Sequence, residues 1–307
     1  MKRTVLCALV LGLSAFVVSG CATVNTASDA KKLEQRATAG DASAVDKLIE
    51  ALRSKDKSVR DAAYSSLTAV GGPAVPKLIE KLNDPDPDMR EYAAGVLGNI
   101  GDERAVSPLL AMLDKDGPRR YVAAWALGEI KAVSAIDPLI KALAIRNDAL
   151  QKEATRALIK IGPPSVPPLI QALGSPDADV RKYAARALGI IADKRAEDPL
   201  INTLADGDNA VASAAALALG TAGTTKSVKP LIGALYSKDM TSRVNASIAL
   251  GQLDARDAVE PLTKIMENDS DPYVREWSAR ALENITGNRY KYKDEKGAMV
   301  YPYNLYR

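Results

Sequence analysis

The chain has 307 residues, of which 47% are hydrophobic and 26% charged, with 41 Lys and Arg, 38 Asp and Glu, and no His. Without His it lacks the commonest general acid/base and the commonest metal ligand, and its two cysteines, Cys7 and Cys21, both lie near the N-terminus, so no catalytic centre, metal site or cofactor is expected. Aromatics are only 5%, with a single Phe, which favours an Ala-rich core of packed helices over a sheet sandwich.

Residues 1–20 read as an address. "MKRTVLCALVLGLSAFVVSGC" opens with Lys2 and Arg3, runs apolar from Val5 to Val18, and reaches Ser19 and Gly20 before Cys21. The run is short for a membrane span and has the layout of a secretory signal. Val18-Ser19-Gly20-Cys21 resembles the lipobox of bacterial lipoproteins. That resemblance implies cleavage before Cys21 and acylation, palmitate included, of its sulfur and new amino group. An uncleaved anchor helix and an ordinary signal with a coincidental cysteine are the alternatives. Several acyl chains hold a protein stably on a membrane. Ala22 after the cysteine implies, by resemblance to enterobacterial sorting rules, the outer membrane, with the chain facing the periplasm. Removing residues 1–20 leaves 39 basic side chains against 38 acidic ones, a balance that argues against a nucleic-acid partner. Residues 21–40, polar and small, read as a lipid-anchored tether with one short helix around Ala30–Arg36.

From Asp41 to Gly287 the chain repeats with a period of 30–32 residues. One anchor is Leu at 48, 78, 109, 139, 169, 200, 231 and 262; a second is Leu at 67, 97, 127, 158, 188, 219, 250 and 282. Each of the eight units holds two helical patterns. The first, as in "AVSPLLAML", carries Pro just before its Leu in six units, from Pro108 to Pro261, where a first-turn proline is tolerated. The second begins with Asp56, Asp86, Asp116, Asp177, Asp208, Asp239 or Asp271, and with Asn147 in the fourth unit. An Asp or Asn ahead of an apolar helical run is an N-cap. Four residues on stands Arg in six units, Gln151 and Ala212 being the exceptions. A charge pair built at a fixed interval along one chain reads as scaffolding, not as an active site. Ala three residues after the Arg position in seven units, and Gly98, Gly128, Gly189, Gly220 and Gly251 after the second Leu, predict close helix approach.

This Asp-x-x-Val/Met-Arg, Ala-Ala, Ala-Leu-Gly pattern resembles the short bacterial HEAT repeats, the type also seen in phycobilin lyases. The resemblance covers residues 41–287. It implies an all-α fold: a right-handed α-solenoid of about eight HEAT-like helix pairs, on the order of 70 Å long. It also implies a hydrogen-bonded ladder linking adjacent repeats, carried over to Asp56/Arg60, Asp86/Arg90, Asp116/Arg120, Asp177/Arg181, Asp239/Arg243 and Asp271/Arg275. Gln151 and Ala212 predict a looser stack at units four and six. The fold does not carry a function with it.

The second helices are expected to line a concave face. Positions one, five and nine after the Arg lie opposite the core positions at 100° per residue. They give an aromatic pair, Tyr121 and Trp125; a basic centre, Lys152, Arg156, Lys160, Lys182 and Arg186; and an apolar segment, Leu217, Val244 and Ile248. Exposed Trp and Arg are typical interface anchors, and clustered positive charge suits an acidic peptide or anionic glycan. A merely solvated face is the bland alternative.

Residues 288–307 hold five of the eleven tyrosines. Tyr290 and Tyr292 alternate with Lys291 and Lys293, "DEKG" offers a turn, and Tyr301 and Tyr303 alternate again, which reads as a small hairpin. A Tyr-rich cap over the open apolar end of the last repeat is one reading, a partner-docking tail the other. The expected function is a non-catalytic, lipid-anchored scaffold. It binds a protein partner of the bacterial cell envelope on its concave face and reaches the membrane through Cys21. The alternative is a chromophore-lyase-like or other small-molecule-handling protein, against which count the missing His, the lack of further cysteines and the export signal.

Overall fold

The computed structural model describes residues 24, 26–115, 117 and 119–302. The signal segment, Cys7, Cys21, Asp116 and Tyr303 lie outside the described residues. Seventeen α-helices are described, all but the first arranged in eight pairs, with a two-stranded hairpin at the end. Helix α1 is Ala27–Thr38. The pairs are α2 Ala42–Ala51 with α3 Lys57–Val70, α4 Val75–Lys81 with α5 Pro87–Ile100, α6 Val106–Asp114 with α7 Arg120–Ile130, and α8 Ile136–Ala142 with α9 Asp148–Ile161. Then come α10 Val166–Ala172 with α11 Ala178–Ile191, α12 Glu197–Thr203 with α13 Asn209–Ala222, α14 Thr225–Ala234 with α15 Met240–Gln252, and α16 Val259–Asn268 with α17 Pro272–Thr286. The hairpin pairs β1 Tyr292–Lys293 with β2 Met299–Val300. No described helix is long and apolar enough to cross a membrane.

All sixteen anchor leucines are fully buried, as are the seven alanines three residues after the Arg position. Each buried Leu contributes about 2 kcal/mol relative to exposure. No pair encloses these side chains alone; each leucine is covered by the neighbouring pairs, so the core runs unbroken from α1 to α17. Six of the eight cap residues are aspartates whose carboxylates accept N–H groups from their own helices, and Asn147 does the same for α9. Proline stands in the first turn of α6, α8, α10, α12 and α16 as expected; Pro230 lies inside α14, which starts a turn earlier.

Three expectations are corrected. Residues 26–38 are not tether. Thr26 and Asp29 form a capping box, and Ala30, Leu33 and Ala37 give α1 an apolar stripe that packs on α2 and α3 as an extra layer. Among the described residues the cap aspartates do not pair with the arginines of their own helices; Asp86 alone of the proposed ladder acids is seen to reach the preceding repeat, accepting from Arg53 at 2.8 Å. Asp56, Asp86, Asp177, Asp239 and Asp271 each cap their own helix through one carboxylate oxygen, and the arginines turn back to carbonyls of the preceding helix end and turn: Arg60 to Ser54 and Lys55, Arg90 to Asp84 and Pro85, Arg120 to Leu113, Arg275 to Asp269. Arg181 and Arg243 do this too, and also reach the next repeat, through forked bonds of 2.8 and 2.9 Å to Asp206 and of 2.7 and 3.0 Å to Asp269. Those acids stand two residues before the next cap. Where Ala212 replaces the arginine, Ser237 replaces the acid ahead of it.

The third correction concerns stacking. A Cβ at Gly128 would lie 2.6 Å from the Cα of Ala157, and one at Gly189 2.6 Å from that of Ala218. The glycines thus admit the alanine of the next second helix, as predicted. Unit six, without its arginine, is closely packed on both sides because Gly189 and Gly220 sit at its two seams. The second helices stand apart at α3/α5 and α9/α11, where Thr68 and Ile159 occupy the glycine position. Gln151 is not the cause: it is buried, donates to the Leu143 carbonyl at 2.9 Å and accepts from Tyr183 of the next repeat at 3.3 Å.

The hairpin closes the array. Tyr292 is buried against α16 and α17, and Arg275, which has no following repeat, donates to the carbonyls of Lys293 at 2.7 Å and Asp294 at 3.3 Å. The Asp294 carboxylate accepts from the N–H groups of Lys296 and Ala298 and so shapes the "DEKG" turn.

Candidate binding face

Second helices pack closely on second helices, whereas successive first helices touch sparsely. An array with one side drawn together and the other splayed must curve toward the close side, so α3 to α17 line the concave face. Helical periodicity decides what they present there. On α11 the positions one, five and nine are Lys182, Arg186 and Ile190; on α13 they are Ser213, Leu217 and Thr221. All six border one groove.

The sequence-predicted residues divide by environment. Tyr121 and Trp125 are half-buried, because both lean on α5: Tyr121 donates to Glu91 at 3.0 Å, and the Trp125 ring fills the space a Cβ at Gly98 would need. Lys152, Arg156, Lys160 and Arg186 are exposed and Lys182 is half-buried. Leu217 is exposed at 43%. Ile248 is half-buried against the core, and Val244, only 5% exposed, is core and not part of the face. The reason is the tight α13/α15 seam: it covers position one, so that Asn245 at position two reaches the groove and donates to the Ser213 carbonyl and hydroxyl at 3.1 and 2.8 Å.

The basic centre is largely neutralised, contrary to its reading as a bare positive cluster. Lys152 pairs with Asp148 at 2.7 Å, Arg156 with Glu153, Lys160 with Glu129 across the seam, and Lys182 with Asp179 at 2.5 Å. The bond from Lys182 holds the Asp179 carboxyl below its ordinary range. Arg186 is the one cation of the five that makes no ion pair among the described residues.

The groove is a cavity of about 790 Å³ between α11, α13 and α15, at the upper end of the range typical of specific ligand clefts. Its floor is Ala210, Ala214, Leu217 and Ala218, with Ile190, 57% exposed, on one wall beside Arg186. A model of HEAT repeats matches residues 45–128, 136–202, 166–243 and 237–292. The chain belongs to the HEAT-repeat family. A model of the PBS lyase HEAT-like repeat also matches, over residues 119–144. No curated protein matches the chain. Among solved structures it is similar to an engineered protein, at 27% identity over 83% of this chain and 84% of that one, with a TM-score of 0.40. It is similar to the complex of CpcE and CpcF of phycocyanin lyase from Nostoc, at 26% identity over 48% of this chain and 98% of that one, with a TM-score of 0.46. It also resembles a chain of the structure reporting Kap95p binding to RanGDP, at 16% identity and a TM-score of 0.58 over 82% of this chain and 42% of that one. The last is a likeness of fold alone, and the HEAT array spans less than half of that chain's length.

Reading positions one, five and nine, but taking only Lys160 from the ninth, missed part of this face of the HEAT array. Ile190, Thr221 and Gln252 stand at position nine and were reachable by the same periodicity; Asn245 was not, because its place depends on how closely α15 sits to α13. The neutralising acids Asp148, Glu153 and Asp179 stand three or four residues before their cations, a spacing that pairs side chains on a helix.

Proposed function

We propose that the protein is a non-catalytic scaffold of the bacterial cell envelope, anchored by lipid on Cys21, that holds a protein partner on the concave face of its HEAT array. The observation that carries this reading is the groove across α11, α13 and α15. There the repeat places Ile190 and Leu217 outward, unsheltered by any neighbour, beside a cation without an ion partner, on a face whose other charges are matched within the chain. Exposed aliphatic side chains in a groove lose contact with water only when something binds. The anchor rests on the Lys2–Cys21 segment. If α1 begins at Ala27, only a handful of residues separate Cys21 from the folded array, and the first repeats stand close to the membrane surface.

Two measurements test the two halves. Metabolic labelling with an alkyne-bearing palmitate should tag the wild-type protein and not Cys21→Ala; equal labelling of both defeats the anchor. A pull-down from envelope extract should recover a partner with the wild type and lose it with the paired change Trp125→Ala and Leu217→Ser. Retention of every captured protein by that variant defeats the concave face as the binding surface.

A further inference from the structure

Resting on the concave-face reading above, we infer that the groove between α11, α13 and α15 takes an extended peptide segment of the partner in which an aliphatic side chain is followed within a few residues by a carboxylate. The aliphatic side chain seats on Leu217 and the small alanine floor, against Ile190. Leu217 and Ile190 are 43% and 57% exposed, so both have apolar surface to lose, and the alanines leave room for a side chain between them. The carboxylate meets Arg186. Lys182, on the same wall, is held by Asp179 and by its position over the Tyr183 ring, 4.5 Å from the centroid, which leaves Arg186 as the free cation of the groove. An arginine fork in a partly apolar groove favours a planar carboxylate over a neutral amide.

Why the feature falls at this place follows from the repeat. In units three and four the outward positions are aromatic or charged, and each makes an ion pair or leans on the preceding helix. In unit six they are Ser213, Leu217 and Thr221, which make no ion pair at all, and the glycines at both seams hold the three helices close enough to form one continuous floor. The exposed amides of Asn209, at the start of α13, and Gln252, on α15, border the groove as donors and acceptors for a main chain crossing the helices, and the one carboxylate on the α15 side, Asp239, accepts from the Ser242 N–H and hydroxyl. That rim suits a peptide better than a fatty acid, whose tail offers no polar groups to meet it.

The test uses the purified full chain and fluorescent synthetic peptides with a Gly/Ser background. One carries Leu followed three residues later by Glu; its twins carry Leu with Lys, or Ser with Glu. The Leu/Glu peptide should bind at least about tenfold more tightly than either twin by fluorescence anisotropy. Arg186→Glu should reverse the preference between Glu and Lys, and Leu217→Ser should weaken the Leu/Glu peptide about tenfold. Both positions are exposed, and unchanged melting by circular dichroism confirms that the variants fold. Equal binding of the Glu and Lys peptides, no binding of any peptide up to about 1 mM, an unaltered preference in Arg186→Glu, or displacement of the peptide by decanoate at equal affinity overturns the assignment. If Arg186→Glu and Leu217→Ser each still capture the envelope partner that the paired change Trp125→Ala and Leu217→Ser loses, the scaffold stands and the groove falls.

Discussion

Gly128 and Gly189 look like faults in a helix, since each costs about 1 kcal/mol against Ala in propensity. They are the points where the next helix comes closest, and the backbone they meet cannot move aside: a methyl at Gly189 would sit 2.6 Å from both the Cα and the Cβ of Ala218. Gly189→Ala should therefore destabilise the array by about 1–3 kcal/mol by overpacking, although it improves the local helix. The measurement is the denaturant midpoint; an unchanged or raised midpoint contradicts the close-approach account. The opposite case is the residue just beyond seven of the eight second helices, α13 with its extended Gly223 being the exception. Gly71, Gly101, Gly162 and Gly287 take positive φ there, and Lys131, Ala192 and Asp254 do so at φ of 57°, 56° and 51° without being glycine. A left-handed conformation costs an L-residue about 1–2 kcal/mol. Ala192→Gly should return much of that, raising the midpoint. The glycine of the seam was legible as a recurrence in the sequence. The strained ends were not, because the three exceptions break the pattern that would have marked them.

The arginine that recurs through the second helices is legible as structural, and its partners are not. Spacing places Asp177 and Arg181 one turn apart and suggests a pair, but Asp177 caps its own helix through Oδ1 while the Arg181 guanidinium is taken up by the Ser175 and Pro176 carbonyls and by Asp206. Arg181 instead closes the turn behind it and clasps Asp206 ahead. Both partners are partly sheltered, and the clasp lowers the Asp206 carboxyl while raising the Arg181 guanidinium. Arg60 has the turn carbonyls alone. Arg181→Met should consequently cost about 3 kcal/mol, leaving a sheltered carboxylate without its counter-charge and with only the Asp208 N–H, against about 1 kcal/mol for Arg60→Met. Equal losses in urea melts would remove the distinction between turn and rung. Shorter connections carry a second link. Asp102 and Asp193 grip Arg104 and Arg195, which reach the Gly72 and Pro163 carbonyls of the preceding repeat. The arginine bonds, first, and backbone N–H groups hold both carboxyls at about 2, below the unfolded value of 3.8. Folded pKa values below the unfolded ones mean that the folded state binds fewer protons. Their stabilisation is thus complete above pH 3.8 and is lost as pH falls toward 2. The double change Asp102→Asn and Asp193→Asn should flatten the fall in melting temperature across that window; an identical acid slope would show that these links do not titrate with unfolding.

Eight pairs were countable in the sequence because the leucine period is a property of every unit, whereas curvature and seams belong to the differences between units. Where glycine holds the seam the second helices draw together, and where Thr68 and Ile159 stand in its place they separate. At α9/α11 the wide seam is crossed by the Tyr183 to Gln151 bond, with no arginine clasp of the kind that joins α11 to the following repeat. In an array, stability is the sum of repeat terms and nearest-neighbour interface terms, so a weak interface divides it into blocks. Residues 166–302, with three glycine seams against two and the hairpin over their end, should therefore outlast residues 27–161 as denaturant rises. Native-state hydrogen exchange reads this directly. In low denaturant the slowest amides of α13 and α15 should keep a higher opening free energy than those of α5 and α7, and Gly189→Ala should narrow the gap by loosening the stronger block. A single opening free energy shared by the slowest amides on both sides of α9/α11 would mean that the seam transmits stability as well as any other, and that the partner groove on α11 to α15 has no separate rigid support.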